Sequence, residues 1–210
     1  VDSYDVAVVG AGVFGAWIAY QLQRSGKKVA ILDAYGAANN RASSGGESRV
    51  IRMGYGADEI YASWSMRSLT LWKDFSQRVG QQLFHRTGVL WMARDQDPYS
   101  VNSLQTLQKL KIPFEKLSRS DLEKRYPQID FGRVTWGILE PESGALMARR
   151  AVQTVVQEAV KNGVDFLTES VLRPSGKGRL SLITTSSGSK VSAGSFVFAC
   201  GPWLPKIFPD

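Results

Sequence analysis

In YDVAVVGAGVFG, residues 4–15, an apolar run from Val6 to Val9 meets three glycines spaced G-x-G-x-x-G. Four consecutive apolar residues predict a central parallel strand covered by helices on both faces. Phe14, Ile18 and Leu22 then recur at helical spacing, and Gly26 sits where a helix ends. A second apolar run, Val29 to Leu32, closes on Asp33. Each glycine has a mechanical reason for its place. Gly10 permits the tight turn, Gly12 lets backbone approach a pyrophosphate, and Gly15 allows close contact between helix and strand. The helix start offers unpaired N–H groups to phosphates, and Asp33 can accept hydrogen bonds from ribose hydroxyls. Strand, glycine turn, helix and terminal acid together predict a dinucleotide site.

The bulk properties narrow the class. The chain has 210 residues, 43% apolar and 21% charged, which suits a folded protein of one large or two small domains. Its net charge is +7, yet no run of Lys or Arg exceeds two residues. A solvated basic surface is therefore expected rather than a nucleic-acid footprint. No apolar segment approaches membrane-spanning length, and no leader segment is expected, because the first strand opens within a few residues of Val1. With Cys200 the sole cysteine and His85 the sole histidine, neither a thiolate cluster, a multi-histidine metal site nor a His-dependent triad is expected. His85 reads as structural. A cytoplasmic, reducing setting is the expectation.

Residues 34–48, AYGAANNRASSGGES, form a long polar loop that leaves the carboxyl end of the second strand, the rim where open α/β sheets bind ligands. SRVIRMGYG follows. Arg49 and Arg52 would share a face on a helical turn and point oppositely on a strand. Either way they are candidate anion hooks, because guanidinium pairs bidentately with carboxylate. A helix is predicted from 58 to 77, with Ile60, Trp64, Leu71 and Phe75 on its apolar face. Strands are predicted at 83–93 and 134–140, around a helix at 98–111 and a short helix opened by Ser120 and Asp121. Residues 83–144 thus read as α+β and as a domain inserted into the first. An amphipathic helix at 148–162 turns Ala148, Val152, Val155, Ala159 and Val160 inward and stops at Asn162-Gly163. Val164 to Val171 is extended, Leu180 to Val191 reads as a hairpin, and Phe196 to Ala199 reads as a buried strand running into Cys200-Gly201-Pro202-Trp203.

Four motifs carry a likeness over almost the whole chain: VVGAGVFG with Asp33; SSGGESRVIRMGYG, residues 43–56; GVLWMA with ESGALMARRAV; and FVFACGPW. By them the chain resembles the amino-terminal half of the flavin-dependent amine oxidases of the D-amino-acid oxidase superfamily, in the branch of sarcosine oxidase and N-methyltryptophan oxidase. The resemblance implies FAD rather than NAD, a Rossmann-like FAD-binding domain with a parallel central sheet (1–82 and 145–210) and an inserted α+β substrate domain (83–144). Carried over by position, Gly10, Gly12, Gly15, Asp33 and Ala34 hold the ADP moiety, and Ala42 and Ser43 line the approach to pyrophosphate and flavin. Val171 offers backbone to the adenine, and Cys200, Gly201 and Trp203 pass near the cofactor. Val13, Phe14, Arg41 and Ser48 complete the implied cofactor set. Arg49 matches an arginine close to the flavin ring, and Arg52 the arginine that binds the substrate carboxylate.

The implied reaction oxidises the C–N bond of a secondary, N-methyl-type amino acid to an imine. Oxygen then reoxidises the flavin to give peroxide, and no metal takes part. Two departures stand out. Ser44 and Gly45 replace a histidine pair common among members with sarcosine activity, and Met53 replaces a further histidine. The family's flavin-linking cysteine, oxygen-activating lysine and second carboxylate-binding residue fall beyond position 210, and Cys200 is not at the linking position. The chain is therefore expected to be half an enzyme, whose partner is its remaining half or a complementary chain. Three other readings fit parts of the pattern: a flavin dehydrogenase with a quinone or carrier acceptor, a flavin-containing RNA-modification module, and a non-catalytic FAD-binding fragment.

Overall fold

The computed structural model describes residues 2–175 and 178–209. Positions 1, 176, 177 and 210, which the expected ranges 1–82 and 145–210 include, lie outside them. In chain order the elements are β1 (Asp2–Val9), α1 (Val13–Arg24), β2 (Val29–Leu32), β3 (Arg49–Ile51), α2 (Glu59–Val79), β4 (Phe84–His85) and β5 (Val89–Ala93). They continue with α3 (Pro98–Lys109), β6 (Glu115–Ser118), α4 (Arg119–Arg125), β7 (Trp136–Glu140), β8 (Gly144–Leu146) and α5 (Ala148–Lys161). The last are β9 (Asp165–Leu167), β10 (Leu182–Thr184), β11 (Lys190–Phe198) and α6 (Leu204–Ile207).

Two compact units result, one of residues 1–47 with 148–210 and the other of 48–147. The expected boundary at 82 falls inside the second unit. Antiparallel pairing of β3 with β8 is the reason, since it joins Arg49 to Leu146 across the chain and draws residues 48–82 with it.

The first unit is a five-stranded sheet in the order β10-β11-β1-β2-β9, parallel except for β10. All four residues of β2 are buried. Ile31 and Leu32 each contribute about 1.5–3 kcal/mol by leaving water. Helix α1 packs on α5 and on the sheet. Its buried positions are Gly15, Ala16, Ala19 and Tyr20; of the residues at helical spacing, Ile18 and Leu22 are half-buried and Phe14 is 76% exposed. Small residues let helix backbone lie close to strand backbone, and that stripe carries little hydropathy signal. The helix closes where Lys27 N donates to Leu22 O and Gly26 takes φ +82°. On α5 the predicted inward face is observed except for Val160, which is exposed. The predicted hairpin and buried strand after Leu180 differ in one respect. β11 is a single strand that pairs with β10 on one side and β1 on the other, and its end from Phe196 is only half-buried.

The second unit holds two three-stranded antiparallel sheets, β3-β8-β4 and β5-β7-β6, with α2, α3 and α4. One core gathers Met53, Ala62, Leu69, Leu107, Ile112 and Ile138; a smaller one gathers Leu117, Leu122 and Phe131. Helix α2 buries Ala62, Leu69, Trp72 and Phe75 and leaves Ile60, Trp64 and Leu71 exposed, so its predicted face is correct only at Phe75. Ser118 and Asp121 form a reciprocal cap at the start of α4. His85 lies on β4 opposite Ala145. Among the described residues no helix is long and apolar enough to cross a membrane.

A side-chain carbon at Gly15 would stand 1.8 Å from Gly10 O. Gly15→Ala is therefore expected to destabilise the protein by about 1–3 kcal/mol through overpacking, read as a lower denaturant midpoint. An unchanged midpoint would show that α1 has room to move off β1.

Candidate functional site

A cavity of about 340 Å³ opens in the first unit at the carboxyl ends of β1, β2 and β11. Strand β1 has β2 on one side and β11 on the other, so this is the switch point at which open α/β sheets bind ligands. Gly10 turns the chain with φ +108°, and a side chain there would strike Ala199 O at 2.5 Å. Gly12, which caps α1 in extended conformation, is different. A carbon added to it would meet only Ser44 Oγ, at 3.6 Å. The three glycines thus turn, expose and pack, in that order.

Side chains hold the rim by donating to or accepting from backbone. Asp33 Oδ2 accepts from Ala11 N at 2.8 Å, and Oδ1 accepts from Tyr35 N at 2.9 Å and Asn39 Nδ2 at 3.3 Å. The acid at the end of β2 therefore clamps the glycine turn, and its carboxylate, which accepts three of about four possible bonds, also lines the cavity. Ser44 Oγ accepts from Val13 N at 3.0 Å, satisfying one first-turn donor of α1. Arg149, at the start of α5, donates from Nε to Gly45 O at 2.8 Å, donates from its own backbone N to Gly46 O at 3.1 Å, and pairs with Glu47.

Cys200 is half-buried beside this turn, with its thiol directed at Val9 O, 3.5 Å away. Burial, reinforced by the Asp33 carboxylate, pushes the thiol pKa up to about 11. It is protonated at neutral pH and is no nucleophile there.

In the second unit, Arg52 follows directly on β3. Its guanidinium carbon lies 4.5 Å from the Tyr55 ring centre and 5.0 Å from that of Trp91. One donor, Nη1, reaches Gly54 O at 3.0 Å. Among the described residues no carboxylate pairs with it. Arg49 opens the strand and is exposed, whereas Arg52 follows it and is half-buried.

Of the sequence-predicted cofactor residues, Gly10, Gly12, Val13, Phe14, Asp33, Ala34, Ala42, Ser43, Val171, Cys200, Gly201 and Trp203 all line the one cavity. Gly15 lies beneath it against Gly10 O. Arg41 does not line it; its guanidinium stacks on Tyr35 and its carbonyl accepts from Trp203 Nε1 at 3.0 Å. Ser48 and Arg49 belong to the second unit.

Residues 5–210 match the profile of the FAD dependent oxidoreductases. The chain belongs to that family. Similar proteins include a putative sarcosine oxidase of Caenorhabditis elegans, 29% identical over 99% of this chain and 53% of that protein. An N-methyl-L-tryptophan oxidase of Yersinia pestis is 24% identical over 98% of this chain and 56% of its own length. Among solved structures, NikD, an amino acid oxidase essential for nikkomycin biosynthesis, matches with a TM-score of 0.83 and 26% identity, over 100% of this chain and 54% of its own. The L-proline dehydrogenase of P. horikoshii shares the fold, with a TM-score of 0.85 at 22% identity, over 99% of this chain and 55% of its own. The chain spans about half the length of the relatives it matches.

FAD is the cofactor of the FAD-dependent oxidoreductases, and the cavity suits such a group. A diphosphate needs backbone N–H donors with no side chain in the way, and Gly12 leaves that space open. Two contributors escaped the sequence reading. Ser44 appeared there only as a replaced histidine, and Arg149 only within the ESGALMARRAV motif. Neither has a local signal, because their partners are 31 and 104 residues away.

Gly12→Ala is expected to keep apo-protein stability within about 1 kcal/mol while weakening FAD retention, read by fluorescence titration. Equal FAD affinity in the variant would remove Gly12 from the site. Alkylation of Cys200 at pH 8 is expected to run on the order of a hundredfold slower than that of free cysteine and to rise until near pH 11. A labelling midpoint near pH 8.5 would contradict the burial argument.

Proposed function

We propose that the chain provides the FAD site and the substrate-carboxylate hook of an oxidase acting on secondary, N-methyl-type amino acids. Arg52 is the observation that carries it. A half-buried cation capped by two aromatic rings, with one hydrogen bond and no acidic partner among the described residues, has most of its planar donor set available for an external carboxylate. The names of the relatives, sarcosine oxidase and N-methyl-L-tryptophan oxidase, describe substrates that carry both an N-methyl amine and a carboxylate.

In this reading the first unit is the FAD-binding domain and the second is part of the substrate domain. Gly12 and Phe14 present backbone to the diphosphate, with Gly10 and Val13 lining the same turn, over the packing that Gly15 permits. Asp33 and Ala34 take the adenosine side, Val171 the adenine, and Arg41, Ala42, Ser43, Ser48, Cys200, Gly201 and Trp203 the remaining cofactor contacts. Bound FAD supplies a two-electron acceptor for the C–N bond, and molecular oxygen takes the electrons onward. Arg52 holds the carboxylate and so limits the orientations of the neighbouring C–H bond. Arg49 adds positive charge near the redox centre. Because relatives are about twice as long, the remaining half or a complementary chain completes the enzyme. A cytoplasmic setting belongs to the same proposal and rests on the single cysteine.

In the full-length protein, Arg52→Ala is expected to raise the KM for an N-methyl amino acid by at least about tenfold, the worth of a charge-assisted pair. The visible spectrum of bound flavin should stay the same, and the wild type should release peroxide under air. An unchanged KM would eliminate the hook; turnover without peroxide would replace oxygen by another acceptor.

A further inference from the structure

Glu140, at the end of β7, is 1% exposed. Among the described residues it has no cationic partner, and four donors converge on it instead. Oε2 accepts from Met53 N at 2.7 Å and Ser143 Oγ at 2.6 Å. Oε1 accepts from Gly54 N at 2.9 Å and Trp91 Nε1 at 2.6 Å. A buried carboxylate is costly unless its acceptor sites are filled, and here each oxygen accepts two hydrogen bonds.

The identity of those donors matters more than their number. Met53 and Gly54 are the two residues after Arg52, where the β3 ladder to β8 has already ended at Ile51. Their N–H groups have lost the strand partner that would otherwise fix the backbone, and Glu140 replaces it. Trp91 is the indole whose ring stacks on the Arg52 guanidinium. Gly54 is the residue whose carbonyl accepts from Arg52 Nη1, and also from Tyr99 Oη at 3.0 Å. One carboxylate therefore holds the backbone that carries Arg52, the ring that caps it and the peptide that binds it. A side-chain carbon at Gly54 would stand 3.0 Å from both Glu140 Oε1 and the Trp91 indole, so any larger residue would press on the cluster.

We infer that Glu140 is a positioning residue for Arg52: through two amides and one indole it aims the guanidinium at the substrate carboxylate. The inference rests on the carboxylate-hook reading of Arg52. Glu140→Gln tests it, because an amide keeps one acceptor oxygen but turns an NH₂ toward two donors, leaving one pair unsatisfied.

The readout is carboxylate discrimination in the full-length flavoprotein. It is the ratio of apparent affinities for N-methyl-L-tryptophan against N-methyltryptamine, and for sarcosine against dimethylamine, with each decarboxylated amine measured as a competitive inhibitor. Arg52→Ala should abolish the discrimination. Glu140→Gln should lower it about tenfold, the effect of misaligning one charge-assisted pair. A loss shared equally by both members of a pair, with the ratio kept at its wild-type value, would make Glu140 a structural residue only and overturn the inference while the Arg52 reading stands. If Arg52→Ala kept the ratio, or the wild type showed no discrimination, the hook itself would fail and the inference with it. Should Glu140→Gln not fold, Ser143→Ala removes one donor and leaves both amides paired; a fall of roughly twofold to fivefold is then expected, and an unchanged ratio overturns the inference.

Discussion

The contact between Gly15 and the carbonyl of Gly10 sets the geometry of the first unit. No side chain fits there, so α1 begins directly over the end of β1, and its first residues line the cavity beside Gly12. Everything that could hold a diphosphate follows from that approach. A helix starting farther from the strand would direct the same donors elsewhere.

The loop from Asp33 to Glu47 contains no helix or strand, yet it is well tied. Asp33 secures the glycine turn, Asn39 bonds Gly36 and the Arg41 amide, Ser44 takes the Val13 amide, and Arg149 takes Gly45 O. Short polar side chains here replace the ladder bonds that regular structure would supply. That keeps backbone at the rim of the cavity without filling it. Cys200, close by, is a small half-buried group, and its protonated thiol adds no charge at neutral pH.

The second unit handles charge in the opposite way. Glu140 is fully buried and uses its acceptor capacity on neutral donors, whereas Arg52 is half-buried and meets aromatic faces instead of an acid. Had the two paired, the guanidinium would have been neutralised and lost to any external anion. Keeping them on separate partners preserves a cation for binding, while the aromatic stack offsets its partial desolvation.

By itself the sequence determined what depends on neighbours within a few residues. That covers the strand before the glycines, their separate mechanical roles, the acid closing β2, and the family; the short helix α4 is predicted to open at Ser120, two residues after the Ser118 that caps it with Asp121. The sequence did not show which stripe of α1 packs, because Gly15, Ala16 and Ala19 carry little hydropathy, and it chose the wrong face of α2, because Ile60, Trp64 and Leu71 are as apolar as the Ala62, Leu69 and Trp72 that pack. Only tertiary structure decided the division at residues 47 and 147, the clamps of Ser44 and Arg149, and the bonds of Glu140 to Met53 and Gly54. Those bonds join positions 31 to 104 residues apart. No local pattern encodes them, since each arises only when separate strands come into register and bring a donor and an acceptor to the same buried point.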